Sequence, residues 1–234
     1  MKALGRYTPP RNLYKLLWVR WMGQITDGIF QSALAAFILF SPERQPDAFK
    51  AALAFAVVLL PYSLVGPFVG VVLDRFSRKR VIAFANLFRA TNLLVIAYLI
   101  FLGSTGMTLT LVVLIAFGAN RLILAGLSAG LPLLVKKDEL ITSNAIAVTG
   151  GTIAVVIGGG LGIGLKNLLD TAFSGDFKDA VLILIAAGGY LAAALLTSGI
   201  GRNEIGPQGH EVSQEVTGFG EVIEGFTILR SHGD

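Results

Sequence analysis

The stretch that decides the fold lies at residues 51–80 and reads AALAFAVVLLPYSLVGPFVGVVLDRFSRKR. Its first part, residues 51–73, carries no charge, and it is followed by Asp74 and then by four cations. A helix needs roughly 20 consecutive apolar residues to cross the hydrocarbon core of a bilayer. An uncharged run of this length that ends in a basic loop predicts a transmembrane helix whose end faces the cytoplasm.

Five other stretches meet the same length requirement. They are residues 21–40, 81–102, 107–135, 141–165 and 180–201. Across all six stretches the charged residues are Asp27, Arg89 and Arg121. Short charged loops join the runs, and this alternation argues against buried helices of a large soluble protein. The sequence therefore predicts an all-α membrane protein with six transmembrane helices.

The composition excludes several classes of protein. Hydrophobic residues make up 54% of the chain and charged residues 15%, whereas soluble domains carry roughly a quarter charged residues. Intrinsic disorder requires low hydrophobicity and high net charge, so it is excluded. The net charge is +4, but the basic residues are divided among apolar runs and form no continuous surface for nucleic acid. We therefore expect no nucleic-acid partner.

Side chains that carry catalysis or hold metals do not form a recognisable pattern. The chain has no cysteine, and its two histidines, His210 and His232, stand apart in a polar tail without metal-ligand spacing. No nucleophile or metal cluster accompanies them, and no phosphate-binding loop is present. We therefore predict no enzyme activity, no catalytic residue, no metal site and no cofactor.

The distribution of lysine and arginine predicts the orientation in the membrane. If the N-terminus is cytoplasmic, thirteen of these residues lie on the cytoplasmic side and four on the outer side. This asymmetry predicts a multi-pass protein of the plasma or inner membrane with both ends in the cytoplasm.

The loop between the second and third stretches carries the most specific motif. Gly66, Gly70 and Asp74 are spaced four residues apart and share one helix face, where two glycines allow a neighbouring helix to approach closely. From residue 70 to residue 80 the chain reads Gly-x-x-x-Asp-Arg-x-x-Arg-Lys-Arg. This resembles the signature of the major facilitator superfamily of secondary transporters, Gly-x-x-x-Asp-Arg/Lys-x-Gly-Arg-Arg/Lys. Ser77 stands where the family has its glycine.

The resemblance implies a role for the loop and a fold for the chain. In the family the Asp and the following Arg form a cytoplasmic charge network that holds one conformation and breaks during transport. By resemblance Asp74, Arg75 and Arg78 take this role. The gating motif of the loop as a whole consists of Gly70, Asp74, Arg75, Arg78, Lys79 and Arg80. The family has an arginine in its fourth span, where this chain has Arg121, and residues 131–145 resemble the junction of spans four and five in bacterial exporters.

The same resemblance implies that the chain is one half of a transporter. Residues 1–201 are expected to form the N-terminal six-helix half of the major facilitator fold, as two inverted three-helix repeats. Residues 202–234 are expected to begin the central cytoplasmic loop, in which apolar residues at helical spacing between 219 and 229 predict an amphipathic helix. The chain is thus expected to be a fragment whose partner is a C-terminal six-helix half.

Polar residues inside the membrane suggest where the site lies. Gln24, Asp27 and Gln31 follow helical spacing on the first span, and Arg121 lies near the middle of the fourth. Charges in a membrane tend to face a cavity or a partner, so an Asp27–Arg121 pair at the midplane is a candidate for proton coupling. A static pair that fixes the helix register is the alternative. Arg89 and Asn92 on the third span are further cavity candidates, although Arg89 could instead extend to the inner interface.

A glycine-rich segment follows in the fifth span. Seven glycines lie between residues 150 and 164, and close helix packing explains them better than a dinucleotide-binding motif, since no strand precedes them.

The motif and the intramembrane charges together predict a secondary transporter. It is expected to work by alternating access and to couple the efflux of a small molecule to protons, with the lipid bilayer, the substrate and protons as partners. Two alternatives stay open, namely an uptake permease and a membrane binding or scaffold protein of the same fold that does not transport.

Overall fold

The computed structural model describes residues 11–34, 66, 68–73, 75–104, 107–171, 177–201 and 204–206. In this part of the chain every regular element is a helix. The helices are α1 (Arg11–Leu34), α2 (of which residues 68–73 are described), α3 (Arg78–Phe101), α4 (Met107–Gly130, continued by a 3₁₀ turn at Leu131–Leu133), α5 (Leu140–Asp170) and α6 (Phe177–Ser198).

The helices end where the sequence supplies a reason. After α3, Gly103 adopts a left-handed conformation with φ of 70°, which glycine reaches without steric cost. The N–H of Gly103 then donates to the carbonyl of Ile100, and that of Ser104 to the carbonyl of Leu99, at 2.8 and 2.9 Å. These bonds satisfy carbonyls that the helix end would leave unpaired.

Four helices in the described part of the chain are long and apolar enough to cross a membrane. They span Arg78–Phe101, Met107–Leu133, Leu140–Asp170 and Phe177–Ser198. Their positions agree with the third to sixth predicted spans to within a few residues. Most of the second predicted span, the last six residues of the first and the predicted helix at 219–229 lie outside the described residues. The number of six helices and the two-repeat arrangement therefore stay predictions.

Helix α1 begins ten residues earlier than predicted, at Arg11 instead of residue 21. The reason is an amphipathic first half. Leu13, Leu16 and Leu17 are buried on one side of it, whereas Arg11 and Tyr14 are exposed. A criterion based on uninterrupted apolar length stops at Arg20 and misses this part of the helix.

Glycines set the distance between α1 and its neighbours. Helix α1 packs mainly against α5 and α6, and α3 packs against α6 and α4. A Cβ on Gly158 of α5 would overlap the backbone of Ile25, and a Cβ on Gly28 of α1 would overlap the backbone of α5 in return. The backbones of α1 and α5 thus touch, so close helix packing accounts for Gly158 of the glycine-rich segment.

The sequence predicts that a neighbouring helix approaches closely at Gly66 and Gly70, and this approach is not seen among the described residues. No described atom lies within 4 Å of a Cβ placed on Gly66 or on Gly70. Gly70 is exposed, whereas Val69 and Leu73 of α2 pack with Val81 of α3.

Two large apolar clusters and a small one of Val69, Leu73 and Val81 form the core of the described part of the chain. A polar layer lies between the two large clusters. One joins α1, α3, α4 and α6 around Phe30, Leu93 and Val113. The other includes Leu16 and Ile82, which lie in the first halves of α1 and α3. Between these two clusters lie the charged and amide side chains of the candidate site.

Candidate functional site

A buried ion pair joins α1 to α3 in this polar layer. Nη2 of Arg89 lies 2.6 Å from Oδ1 of Asp27, and the two side chains are 1% and 3% exposed. Removing a charge from water costs several kcal/mol, so a pair this deeply buried needs further hydrogen bonds to persist.

Two neighbours supply those bonds. The hydroxyl of Tyr190 on α6 donates to the same Oδ1 of Asp27 at 2.7 Å, and Nη1 of Arg89 donates to Oδ1 of Asn120 on α4 at 3.0 Å. The guanidinium carbon of Arg89 also lies 4.0 Å from the centre of the Tyr190 ring. We call Asp27, Arg89, Asn120 and Tyr190 the buried cluster, which links four helices.

A small polar cavity adjoins the buried cluster. Its volume, measured as the space open to the centre of a water molecule, is about 10 Å³, which is about enough for one water. Its polar lining consists of Arg20, Gln24, Asp27, Asn86, Arg89 and Asn120. Asn86 is fully buried and uses its amide N–H to bind the carbonyl of Ile82 at 2.9 Å. Asp27 therefore has a polar space beside it.

The expected pairing of Asp27 with Arg121 is wrong in this structure. Asp27 pairs with Arg89, and Arg121 is exposed. The physical reason is helix geometry, because neighbouring residues on a helix point about 100° apart. Asn120 points toward Arg89 of α3, so the side chain of Arg121 is turned about 100° away from that contact.

Arg89 does not extend to the surface of the bundle, as it would if it reached for the inner membrane interface instead of facing a cavity. It is fully buried, and it lies eleven residues beyond the start of α3, or about 16 Å along the helix at 1.5 Å per residue. Asn92, one turn further on, is half-buried.

The remaining predicted cavity residues lie on α1 and α4. Gln24 is half-buried, and Gln31 is exposed like Arg121. Between these two helices, Nη1 of Arg20 donates to Oγ of Ser128 at 3.4 Å. We call the strip formed by Arg20, Gln24, Gln31, Arg121 and Ser128 the α1–α4 seam.

The basic loop binds the end of α6. Nζ of Lys79 donates to the carbonyl of Ser198 at 2.8 Å and also to that of Ile200. Nζ of Lys15 donates to the carbonyl of Gly199 at 2.7 Å. Cations at a helix C-terminus satisfy its last carbonyls and its dipole. Arg78 is buried, whereas Gly70, Arg75 and Arg80 are exposed, and Asp74 lies outside the described residues.

Sequence reasoning missed two members of the buried cluster. Tyr190 gives no signal beyond being a tyrosine in an apolar run, and Asn120 is an uncharged residue beside the charged Arg121. Within the described part of the chain, no group of three metal-binding side chains comes together.

The geometry can now be set beside known proteins. The profile of the Major Facilitator Superfamily matches residues 20–231. The chain belongs to this superfamily. Membership in a family of transporters points to a transporter rather than an enzyme, and together with the apolar helices it makes the chain a multi-pass membrane protein.

Individual relatives from this superfamily were also found. An uncharacterised MFS-type transporter of Mycobacterium tuberculosis and another of Mycobacterium bovis are each 32% identical over 215 residues, or 92% of this chain and 48% of the relative. Macrolide efflux protein A of Streptococcus pyogenes is 30% identical over 135 residues, or 55% of this chain and 33% of that protein. The chain spans about half the length of the mycobacterial relatives. No solved structure matches the chain.

Proposed function

We propose that this chain is the N-terminal half of a proton-coupled secondary transporter that exports a small molecule by alternating access. Asp27 is the group that binds the proton. The observation that carries the proposal is the buried cluster, in which one carboxylate holds α1 against both α3 and α6.

Protonation of Asp27 would change the packing of four helices at once. A neutral carboxyl group no longer attracts the guanidinium of Arg89, and the bond that Asp27 accepts from Tyr190 weakens as its charge is lost. Arg89 also bonds Asn120, so the change reaches α4. The adjoining polar cavity supports the proposal, because a proton needs a hydrated approach to a buried carboxylate.

The basic loop is proposed as the cytoplasmic gate. Lys79 binds the last carbonyls of α6, so a movement of the loop between α2 and α3 would be transmitted to α6, which carries Tyr190. By resemblance to the family motif, Asp74, Arg75 and Arg78 take part in the same gate.

Topology and direction complete the proposal. Both ends of the chain are placed in the cytoplasm, as the distribution of lysine and arginine indicates, and six helices form two inverted repeats. A second six-helix half provides the other wall of the cavity, in keeping with the length of the relatives. Export is proposed because one relative is named a macrolide efflux protein.

Transport into inverted membrane vesicles tests the proposal. The complete encoded protein is energised with a proton gradient, and the accumulation of anionic, neutral and cationic fluorescent dyes is followed. We expect at least one dye to accumulate, and accumulation to stop on adding a protonophore or in the variant Asp27→Asn. Asp170→Asn, the same chemical change at an exposed residue that binds Lys178, is the matched control. Proton-driven accumulation that persists in Asp27→Asn would show that another group carries the proton.

A further inference from the structure

The charges inside the membrane do not balance. The six apolar stretches contain one acidic residue, Asp27, and two basic ones, Arg89 and Arg121. The structure pairs Asp27 with Arg89 at 2.6 Å and buries both. Among the charges of these six stretches, Arg121 is therefore the one without a counter-charge in the described part of the chain.

On α4, Arg121 lies between two residues that contact α1. On α4, Phe117 lies one turn before it, and its ring packs 5.8 Å from that of Phe30 on α1. Ser128 lies two turns after it on the same side and accepts a bond from Arg20 of α1. Contacts with α1 on both sides place Arg121 in the α1–α4 seam.

The depth of Arg121 matches that of the ion pair. Its neighbour Asn120 binds Arg89, which in turn binds Asp27. An arginine at this depth is costly unless it faces water or an opposite charge. The other side chains of the seam are Arg20, Gln24, Gln31 and Ser128, and the carboxylate that lies beside Arg20 and Gln24, that of Asp27, is already paired with Arg89.

We propose that the transported molecule carries an anionic group, such as a carboxylate, sulfonate or phosphate, and that Arg121 binds it in the α1–α4 seam. This inference rests on the proposed transport function and adds the charge class of the substrate. A guanidinium suits the task because its planar donors bind the two oxygens of such a group together. Gln24 and Gln31 supply neutral hydrogen bonds above and below.

Two dyes with the same xanthene ring system and opposite charge test this inference. Carboxyfluorescein is the anionic probe and rhodamine 6G the cationic one. Binding is measured by fluorescence polarisation on the complete encoded protein in nanodiscs, and transport is measured in inverted vesicles. We expect carboxyfluorescein to bind, and Arg121→Gln to weaken its binding roughly ten- to a hundredfold, as loss of a charged hydrogen-bonding partner does.

Two further variants separate charge from fold. Arg121→Lys keeps the charge without the planar fork, so we expect an intermediate affinity. Arg11→Gln removes an exposed arginine at the start of α1 and should leave the affinity unchanged.

The outcomes distinguish this inference from the proposed transport function. If rhodamine 6G is transported and carboxyfluorescein neither binds nor moves, the anion inference is overturned and transport stands. If carboxyfluorescein binds through Arg121 but is not moved by a proton gradient, the inference stands and proton-coupled transport of this molecule fails. Binding of carboxyfluorescein that is equal in the native protein and Arg121→Gln overturns the role of Arg121, and so does the absence of binding.

Discussion

Arg89 and Tyr190 hold Asp27 between them while they also contact each other. Both donate to the same oxygen of Asp27, at 2.6 and 2.7 Å, and the guanidinium carbon lies 4.0 Å from the centre of the tyrosine ring. The three side chains come from α3, α6 and α1, so a single carboxylate oxygen organises the contact among three helices. A guanidinium over an aromatic face gains further attraction when both are shielded from water.

Replacing Tyr190 by phenylalanine separates the hydrogen bond from the ring contact. The ring stays over Arg89, but Asp27 loses one donor, so we expect the free energy of unfolding to fall by about 1.5–3 kcal/mol. Tyr190→Leu should cost more, because it also removes the cation–π contact and leaves a cavity. Unfolding of the purified protein in detergent measures both. Equal stability of Tyr190→Phe and the native protein would contradict the hydrogen bond.

A double-mutant cycle tests whether Asp27 and Arg89 act as a pair. Each single change, Asp27→Asn or Arg89→Gln, leaves the partner charge buried without its counter-charge, which costs roughly 3–5 kcal/mol. The double variant contains no buried charge at this position, so we expect it to be more stable than either single variant. The readout is again the free energy of unfolding. Additive losses in the double variant would show that the two residues are independent.

The contact of α1 with α5 predicts a difference between two glycines of the same helix. A methyl group on Gly158 would overlap the backbone of Ile25, so Gly158→Ala should destabilise the protein by about 1–3 kcal/mol through overpacking. No described atom lies within 4 Å of a Cβ on Gly160, so Gly160→Ala should be neutral or stabilise the helix by up to about 1 kcal/mol. Thermal unfolding of the two variants side by side provides the comparison. Equal melting temperatures would contradict the close approach.

The helices could be predicted because their signal is local. Apolar runs of about 20 residues, with a single arginine in α3 and in α4, located α3 to α6, and Gly103 fits the end of α3. The start of α1 at Arg11 was missed, since an amphipathic first half interrupts the apolar run. The interpretation of the α5 glycines as packing residues holds for Gly150, Gly151, Gly158 and Gly162, where an added Cβ would lie within 4 Å of a residue of α1. No described atom lies within 4 Å of a Cβ on Gly159, Gly160 or Gly164.

The partners within the site could not be predicted in the same way. Sequence spacing gives the depth of a residue along a helix, and by this measure Asp27 and Arg121 lie at one level. It does not give the rotation of one helix relative to another, and a step from residue 120 to 121 turns a side chain by about 100°. That rotation places Asn120 beside Arg89 and leaves Arg121 exposed. Tyr190 could be found only from the packing of α6.

Cysteine labelling can test whether the α1–α4 seam is hydrated. This chain has no cysteine, so an introduced thiol is the one reactive site within it. Gln31 is exposed in the seam, and Leu184 is 47% exposed on the outer face of α6 at a similar depth. We expect Gln31→Cys to react with a membrane-impermeant maleimide and Leu184→Cys to be protected, because lipid covers an outward apolar residue and excludes the reagent. The readout is the labelled fraction over time in intact membranes.

A buried position provides the control for general loosening of the fold. Ala33 lies two residues from Gln31 on α1 and is fully buried, so Ala33→Cys should stay unlabelled until the protein is denatured. Pre-incubation with carboxyfluorescein should slow the labelling of Gln31→Cys if an anion occupies the seam beside Arg121. Equal labelling rates for Gln31→Cys and Leu184→Cys would contradict a water-filled seam, since both positions would then face the same medium.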